Sequence, residues 1–541
     1  MNRITLALAF ILTSHFIWSQ VTNEGEPKSW KADVETVNAI ILPDFDLEEL
    51  QREDEINDKL NDAPWRFGYE HDVSYGLDNS GKWNELPNGD RIWLINFKSD
   101  GANTLNFIFD EFYLPEGATL YFYNDDKSDL LGAYTSSQNR EDMIFGSWLV
   151  DGDHVWVEYY EPKEVSGQGF LNIDKVVHGY RSVAANKSFQ KVLNSSGACN
   201  HDVDCDVHAD FDDKKDMLKR SVALTVVGGN GFCTGTLINN TENDETPYFL
   251  TANHCVGGST ASWAFRFNWV SDSPQCGTFS ASGNGSFDQT LSGSNVVASN
   301  NASDFALLQI TAPIQDSWNL VWAGWDRSTT PADYAVGIHH PSGDIMKVCR
   351  EDDSPYMQNI QGIQVWFIDQ WELGVTEGGS SGSALFNPEG RIIGQLLGGS
   401  AACSGTSDNG GVDFYGRFDV SWNSTSPTNR LRDWLDPNNT DVTTIDSHPP
   451  MENMSVDNVT ALETTISIYP NPASNEAFIE NSTSNLVHYQ IYSISGKNIC
   501  SGETNGASTS IDISNLKAGI YLIKLEDIAT KQQTTKRLVV K

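Results

Sequence analysis

Short stretches in which apolar and polar residues alternate predict β-strands along most of the chain, with turn residues between them. In residues 20–191 the stretches are rich in aromatic and β-branched residues, and Pro115-Glu116-Gly117 and Asp151-Gly152 are typical turn signals. The predicted strands are Arg91–Phe97, Thr104–Leu114, Ala118–Asn124 and His154–Tyr160. This pattern predicts a β-sandwich for residues 20–191.

Residues 192–436 also follow a strand pattern and end in a short helix. The predicted strands are Val222–Val226, Phe232–Ile238, Tyr248–Ala252, Ala306–Ile310 and Arg391–Leu397. The helix is predicted over Asn429–Leu435, where Asp436-Pro437 would end it. An all-β unit of this length with a helix at its end fits a double β-barrel.

Polar residues dominate 437–465, which includes Pro449-Pro450 and is predicted to be a linker. Residues 466–541 return to short strands and predict a small β-sandwich with a basic end. Its predicted strands are Ile466–Tyr469, Glu476–Glu480, Tyr489–Ile494, Ile520–Leu525 and Arg537–Val540.

The first residues predict export. Met1–Arg3 carry one positive charge, and Ile4–Trp18 form an apolar run, so residues 1–19 are predicted to be a signal peptide cut near Ser19 or Gln20. A transmembrane anchor is the alternative, but the run is short and has no basic flank. No later segment is apolar enough to span a bilayer, so we expect an exported, soluble protein.

Composition excludes some partners. The 541 residues predict several domains. The net charge of −38 argues against nucleic acid and against an anionic membrane as partners.

Seven of the eight cysteines lie between positions 199 and 403, which in an exported protein predicts disulfides. A zinc site at His201, Cys205 and His208 is the alternative, but no paired CxxC and no HExxH supports it, so we predict no metal and no cofactor.

Three separate stretches carry candidate chemistry. Ser381 lies in a glycine-rich stretch whose tight turns would expose a nucleophile and point the N–H groups of Gly379 and Ser381 at an oxyanion. His254 follows an apolar strand, and Asp304 precedes one. Each has a plain structural interpretation, as a Gly/Ser surface loop, a buried histidine or an Asx turn. Together they follow the chain order His…Asp…Ser of chymotrypsin-like proteases.

The same stretch also satisfies G-x-S-x-G with Ser380 as the nucleophile of a lipase-like elbow. That arrangement requires an acid and then a histidine after the serine. Beyond Ser380 only His448 and His488 remain, one in the predicted linker and one in the tail, so this interpretation is poor.

Residues 195–436 resemble the lysyl endopeptidase branch of the chymotrypsin-like serine proteases. The matching stretches include Ser196–Asn200, Cys233–Leu237, Phe249–Cys255, Ser303–Phe305, Trp322–Arg327, His339–Pro341, Gly374–Glu377, Gly379–Ser383, Gly394–Leu396 and Tyr415–Arg417. The resemblance implies a chymotrypsin-like double β-barrel. It also implies His254 as general base, Asp304 as its orienting partner, Ser381 as nucleophile, and Gly379 and Ser381 as the oxyanion hole.

The resemblance also implies the substrate pocket. Asp413, in Asp413-Phe414-Tyr415-Gly416-Arg417, would lie at its base and pair with a Lys or Arg side chain, and Gly398 would also bind substrate. A turn aspartate after Gly410-Gly411 is the structural alternative for Asp413, and Asp408 is a nearby rival for its role.

Two features depart from the lysine-specific members. The position of a histidine that stacks on a tryptophan is Leu397 here, and neither Trp366 nor Trp371 is a clear match for that tryptophan. Arg is therefore included among the expected cleavage sites. Ser380 occupies the slot of an Asp that captures the new N-terminus in chymotrypsin relatives, and a hydroxyl cannot form that salt bridge.

Three disulfides are implied by the same resemblance. They are Cys199–Cys403, Cys205–Cys276 and Cys233–Cys255, which would leave Cys349 and Cys500 free.

Residues 20–191 precede the protease-like unit and are interpreted as a propeptide that folds or inhibits it. A carbohydrate-binding module is the alternative for an aromatic sandwich. Lys191-Val192 precedes the matched start and is a candidate site of autocatalytic cleavage.

The tail resembles the C-terminal sorting domain of type IX secretion. The matching stretches are Ile468–Pro472, Gly519–Lys524 and Lys536–Lys541. The resemblance implies secretion machinery as a partner and a secreted or surface-attached protein. An ordinary adhesive β-sandwich is the alternative.

Taken together, the sequence predicts a secreted, monomeric serine endopeptidase that cuts protein or peptide substrates after Lys, and after Arg as well. An inactive protease-fold adhesin is the alternative from another class. A glutamate-directed protease of the same fold would require a pocket without Asp413.

Overall fold

β-Strands are the main regular secondary structure of the protein. The computed structural model describes residues 25–58, 63–181, 193–286, 288–450, 466–481, 486–493, 497–504, 508–517, 519–527 and 533–541. The chain divides into two units, Met1–His448 and Pro449–Lys541. The predicted signal peptide and the predicted cut at Lys191–Val192 lie outside the described residues. Among the helices described, none is both long and apolar enough to cross a membrane.

The N-terminal part of the first unit contains two sheets that face each other across a core of aromatic side chains. Phe107 bridges the sheets, with its ring centroid 5.5 Å from that of Phe97 and 5.2 Å from that of Phe122. One sheet contains Ile40–Ile41, Lys82–Glu85, Arg91–Lys98, Thr119–Asn124, Leu130–Tyr134 and His154–Glu161. The other contains Gly68–Gly76, Thr104–Tyr113, Phe145–Gly146, Val150–Asp151 and Phe170–Gly179.

The structure contains a helix over Leu47–Asn57 that the sequence analysis did not predict. Asp46 caps it by accepting a 2.9 Å hydrogen bond from the Glu49 amide. Its only buried residue is Asp54, which accepts hydrogen bonds from Arg66 Nε at 2.8 Å and from the Tyr180 hydroxyl at 2.8 Å. The helix is therefore held by a polar anchor, and its sequence shows no apolar stripe that would have predicted it.

The first sheet of residues 193–448 has seven strands of its own, in the spatial order Thr290–Ser292, Ala264–Phe267, Val222–Val227, Gly231–Leu237, Tyr248–Ala252, Phe305–Ile310 and Ser294–Asn300. An eighth strand, Trp65–Arg66, comes from the N-terminal part and pairs with Gly231–Leu237. The strands Val222–Val227 and Gly231–Leu237 are buried along their whole length, because the N-terminal part covers one face of this sheet.

The second sheet runs in the order His201–Asp202, Lys347–Glu351, Ala335–His339, Ala384–Phe386, Ile392–Gly399, Asp413–Arg417, Ile363–Ile368 and Tyr356–Ile360. Two short strands, Trp325–Asp326 and Thr444–Ile445, pair with each other at its side. Residues 437–465 were predicted to be a linker, but Thr444–Ile445 is a strand fixed to this sheet by backbone pairing. Residues 451–465 lie outside the described residues.

The helix predicted over Asn429–Leu435 is shorter in the structure. A 3₁₀ turn covers Pro427–Asn429, and the α-helix covers only Arg432–Leu435. The Ser426 side chain caps the turn, and Arg430 stays extended between the two elements, which interrupts the helix. The other α-helices in the described part of the chain, apart from Leu47–Asn57, are Asp212–Leu218 and Phe418–Trp422.

Three disulfides form, and they are the pairs implied by the resemblance: Cys199–Cys403, Cys205–Cys276 and Cys233–Cys255. Cys349, which is buried, and Cys500 are free. Of the three disulfides, Cys199–Cys403 spans the longest stretch of sequence. It ties the beginning of residues 193–448 to the region just before Asp413.

The second unit has two antiparallel sheets. One contains Ile466–Tyr469, Glu476–Asn481 and Ser508–Asp512. The other contains Asn498–Glu503, Val487–Ser493, Gly519–Asp527 and Gln533–Val540. Isoleucine and leucine side chains from both sheets share one core.

Candidate active site

His254 and Asp304 meet where two neighbouring strands end. The ladder pairs Ala252 with Phe305, so the turn after one strand lies beside the residue before the other. His254 Nδ1 lies 2.7 Å from Asp304 Oδ2, and the His254 amide donates to Asp304 Oδ1 at 2.9 Å. Two hydrogen bonds to one residue fix both the imidazole and the carboxylate.

This contact determines the role of the other imidazole nitrogen. A carboxylate can only accept, so it favours the tautomer with a proton on Nδ1 and a free lone pair on Nε2. His254 Nε2 is buried and has no hydrogen-bond partner among the described residues. An imidazole in this state can take a proton from a nearby hydroxyl.

Ser381 is held beside the turn that carries His254. Its carbonyl accepts a 2.9 Å hydrogen bond from the Thr234 amide and lies 3.9 Å from Cys255 Sγ. The Cys233–Cys255 disulfide joins the strand that binds Ser381 to the turn that presents His254. Residues more than a hundred positions apart are thereby fixed in one place.

The backbone before Ser381 requires glycine at position 379. Gly379 has φ of +91°, and a Cβ there would lie 3.1 Å from both Gly343 N and His340 O. Within the described part of the chain, the amides of Gly379 and Ser381 donate to no backbone carbonyl. These two N–H groups are available for an oxyanion.

Ser380, the alternative nucleophile, is engaged elsewhere. Its hydroxyl lies 2.7 Å from His339 Nδ1 and accepts from the Glu377 amide at 3.2 Å. Ser380 and His339 are both fully buried, and burial lowers the pKa of His339 to about 3. A serine with no access to substrate, beside an imidazole that cannot take a proton near neutral pH, does not form a lipase-like centre.

Asp413 lies in the second sheet with one carboxylate oxygen occupied and one open. Trp371 Nε1 donates to Oδ2 at 2.7 Å, and Thr376 Oγ1 donates to the same oxygen at 2.6 Å. Oδ1 is buried without a side-chain or well-aligned backbone partner among the described residues, although the Ala401 backbone faces the carboxylate. Burial raises the pKa of Asp413 to about 6.

The neighbouring strand leaves room for this carboxylate. Gly398 pairs with Phe414 and Gly399 with Asp413. A Cβ at Gly399 would lie 2.0 Å from Asp413 Oδ1. A side chain at position 399 would therefore collide with this carboxylate oxygen.

Asp408, the rival for the pocket, lies in a short hairpin where it pairs with Cys403. Its Oδ2 accepts from the Gly410 amide at 3.1 Å, which is an ordinary turn contact. Trp366, one of the two tryptophans considered for the stacking role, is buried and donates to the Ile393 carbonyl at 3.0 Å.

The zinc alternative does not fit the structure. His201, Cys205 and Cys276 offer ligand atoms within 4.8 Å of one another. However, Cys205 and Cys276 form a disulfide, so neither provides the thiolate that zinc requires.

Sequence reasoning assigned no role to several residues that shape the site. Trp371 and Thr376 orient Asp413. Asp344 accepts from the Asn194 amide at 2.7 Å, and Glu377 accepts from the Gly197 amide at 3.1 Å, so both hold the start of the protease unit. Burial raises the pKa of Glu377 to about 7. Contacts between residues this far apart leave no local pattern in the sequence.

A His–Asp pair whose carboxylate is buried, beside a glycine-flanked serine, is the arrangement of a serine protease, and comparison with known proteins supports this class. Residues 193–416 match the family described as "Lysyl endopeptidase, C-terminal domain", and residues 467–541 match "Secretion system C-terminal sorting domain". The resemblance found in the sequence is thereby confirmed. These matches support a serine protease similar to lysyl endopeptidases, and the sorting domain indicates a protein that is secreted or attached to the cell surface.

Individual proteins are also similar to parts of this chain. A lysyl endopeptidase from Pseudomonas aeruginosa is 26% identical over 341 residues, covering 60% of this chain and 72% of that protein. An endo-acting ulvan lyase from Formosa agariphila is 36% identical over 104 residues, which is 19% of this chain and 20% of that protein. The solved structure of the HtrA-type protease AlgW with tripeptide matches at a TM-score of 0.25 and 12% identity, covering 61% of this chain and 96% of that one.

Proposed function

We propose that the protein is a secreted endopeptidase that hydrolyses peptide bonds on the C-terminal side of Lys, and more slowly of Arg, through an acyl-enzyme. Residues 192–436 form the protease, a chymotrypsin-like double β-barrel, and residues 20–191 form its β-sandwich propeptide. The observation that carries the specificity is the buried, open Oδ1 of Asp413.

The chemistry follows from the three side chains. Ser381 Oγ attacks the substrate carbonyl while His254 Nε2 takes its proton, and Asp304 stabilises the imidazolium that results. His254 then gives the proton to the leaving amine, and water hydrolyses the acyl-enzyme by the same route. The amides of Gly379 and Ser381 stabilise the oxyanion, and each contributes about 3–4 kcal/mol in the transition state.

The pocket selects a cation because its carboxylate is desolvated. A Lys ammonium can approach Asp413 Oδ1 and replace the hydration that the carboxylate has lost. A neutral side chain would leave the carboxylate unpaired at a cost of several kcal/mol.

The occupied oxygen favours Lys over Arg. Oδ2 already accepts from Trp371 and Thr376, so a guanidinium cannot pair with both oxygens of Asp413 in its preferred bidentate geometry. A compact ammonium needs only one oxygen. We therefore expect Arg substrates to be cut more slowly, even though Leu397 departs from the lysine-specific pattern.

The experiment that tests the nucleophile uses the two adjacent serines. A fluorophosphonate should label the processed wild-type protein, and Ser381→Ala should abolish labelling and lower peptide hydrolysis by about 10⁵-fold or more. Ser380→Ala is the matched control and should still be labelled. Labelling that survives Ser381→Ala and disappears in Ser380→Ala would contradict the assignment.

A further inference from the structure

A buried glutamine of the second sheet contacts the peptide group that precedes Asp304. Gln395 lies in the strand Ile392–Gly399, and its Nε2 donates to the Ser303 carbonyl at 2.6 Å. Because a carbonyl can only accept a hydrogen bond, the contact requires the amide nitrogen of Gln395 and not its oxygen. The side chain therefore joins the second sheet to the turn that carries Asp304.

Asp304 needs support of this kind because its backbone is strained. Its φ is +54°, in the left-handed region that residues other than glycine seldom adopt. Such a conformation persists only where the surrounding structure holds it. The peptide group after Asp304 is held by the Asn253 amide, which donates to the Asp304 carbonyl at 2.8 Å. The peptide group before it is held by Gln395 through the Ser303 carbonyl.

The contact between Ser303 and the second sheet is close and closed to solvent. Gln395 pairs with Gly416, and a Cβ on Gly416 would lie 1.8 Å from the Ser303 carbonyl oxygen. The Ser303 hydroxyl also lies 2.7 Å from the Ser421 hydroxyl. Ser303, Gln395 and Ser421 are all buried. Removal of the Gln395 amide would therefore take a donor from the Ser303 carbonyl in a place where water cannot readily replace it.

The next residue of the same strand binds the turn of the nucleophile. The Leu396 carbonyl accepts a 2.9 Å hydrogen bond from the amide of Gly382, which directly follows Ser381. Adjacent residues, Gln395 and Leu396, thus contact the turn that carries Asp304 and the turn that carries Ser381. The strand fixes both ends of the catalytic triad relative to each other.

The other end of the Gln395 side chain indicates that its nitrogen is the group in use. Oε1 of Gln395 is buried and has no hydrogen-bond partner among the described residues. An unsatisfied buried oxygen costs free energy, and an apolar side chain would fill the same space without that cost. The amide therefore contributes through the bond from Nε2 to Ser303.

We propose that Gln395 is a positioning residue, whose amide holds the Ser303–Asp304 peptide group so that the Asp304 carboxylate meets His254. Each carboxylate oxygen of Asp304 accepts one hydrogen bond from His254, so a rotation of the backbone at Asp304 would weaken both bonds. The proposal rests on the proposed protease function for its effect on hydrolysis. Its effect on the His254–Asp304 hydrogen bond does not depend on that function.

The kinetic test compares two glutamine-to-methionine changes in the processed protein. Gln395→Met keeps the length of the side chain and removes the donor, so kcat should fall about tenfold with KM unchanged. The loss should be equal for a Lys peptide and an uncharged one, because Asp304 serves both. Gln364→Met is the matched control, since Gln364 is exposed in the strand Ile363–Ile368 of the same sheet and should keep wild-type kinetics.

The spectroscopic test observes the hydrogen bond itself by proton NMR on the full chain. The Nδ1 proton of His254 should give a far-downfield signal, assigned by its loss in His254→Ala. Gln395→Met should move this signal upfield, and Gln364→Met should leave it in place. If Gln395→Met does not fold, Ser421→Ala replaces it, because it removes the hydroxyl that contacts Ser303. Ser421→Ala should move the signal in the same direction and lower kcat about two- to threefold.

The outcomes separate the positioning role from the protease function. An unmoved signal in Gln395→Met would overturn the proposal, whatever the change in kcat. A kinetic loss confined to Lys peptides would also overturn it, because it would assign Gln395 to the pocket beside Gly398. Absence of hydrolysis and of Ser381 labelling in the wild-type protein would instead contradict the protease function. An upfield shift in Gln395→Met would still support the positioning role in that case.

Discussion

Two buried aspartates of the protease unit differ in how their oxygens are used. Both oxygens of Asp304 accept hydrogen bonds from His254, one from its ring and one from its backbone amide. Asp413 has both of its side-chain donors, Trp371 and Thr376, on Oδ2, and its Oδ1 is open. Both oxygens of Asp304 therefore have hydrogen-bond donors within the protein, whereas no side chain of the described residues donates to Oδ1 of Asp413.

The difference separates catalysis from recognition. A carboxylate that is fully bonded inside the fold can only orient and stabilise its partner, so Asp304 acts on every substrate equally. A carboxylate with a desolvated, open oxygen is destabilised until a cation arrives, so Asp413 acts only on substrates that bring one. Each aspartate therefore predicts a different pattern of loss when it is changed.

Of the changes that compare the two aspartates, Asp304→Asn is expected to have the largest effect. Loss of the acceptor should leave His254 in the wrong tautomer and lower kcat by about 10⁴-fold. The loss should be the same for a Lys substrate and for an uncharged one, measured by steady-state hydrolysis of matched peptides. A loss confined to Lys substrates would contradict the role of Asp304.

Asp413→Asn should show the opposite pattern. The kcat/KM for a Lys substrate should fall by roughly 10²- to 10³-fold, since a charge pair in a desolvated pocket is worth about 3–5 kcal/mol when one partner is removed. Hydrolysis of an uncharged substrate should change little. Asp408→Asn is the matched control and should keep the Lys preference, while equal losses on both substrates would remove Asp413 from the pocket.

This comparison also shows what the sequence could predict. His254, Asp304 and Ser381 each follow or precede a recognisable strand or glycine turn, so their order along the chain indicated a shared site. The limits of most of the predicted strands agree with the structure to within two residues, whereas other strands, such as Gly68–Gly76 and Ala335–His339, were not predicted. The catalytic roles remain predictions that the experiments above test.

Other features had no sequence signal. The two donors to Asp413 are separated from it by 42 and 37 positions and are brought close only by sheet pairing. The helix Leu47–Asn57 is anchored through polar Asp54, so apolar periodicity did not indicate it. The strand Trp65–Arg66 is defined by its partner Gly231–Phe232, which is far away in sequence.

Thr376→Val tests whether the donors on Oδ2 keep Oδ1 open. Loss of the 2.6 Å hydrogen bond should let the carboxylate rotate toward other partners and reduce kcat/KM for Lys substrates about tenfold, the usual contribution of a hydrogen bond to a charged group. The ratio of Lys to Arg cleavage should fall, because the second oxygen becomes available to a guanidinium. An unchanged ratio would show that Thr376 has only a structural role.

The smallest effect is expected from pH. Burial raises the pKa of Asp413 to about 6, so the carboxyl is protonated below that pH and cannot pair with an ammonium. The ratio of Lys to uncharged-substrate hydrolysis should therefore fall several-fold from pH 7.5 to pH 5, and taking the ratio cancels every effect of pH that the two reactions share. Asp413→Asn should abolish this dependence, and a ratio that rises on acidification would contradict it.

The most direct test of the account is to map every cut that the processed protein makes in an unfolded protein mixture, with Ser381→Ala as the blank. Mass spectrometry should find Lys immediately before nearly all cuts and Arg before most of the rest. Cuts that follow uncharged or acidic residues as often as Lys would contradict the central claim that the open oxygen of Asp413 selects the substrate.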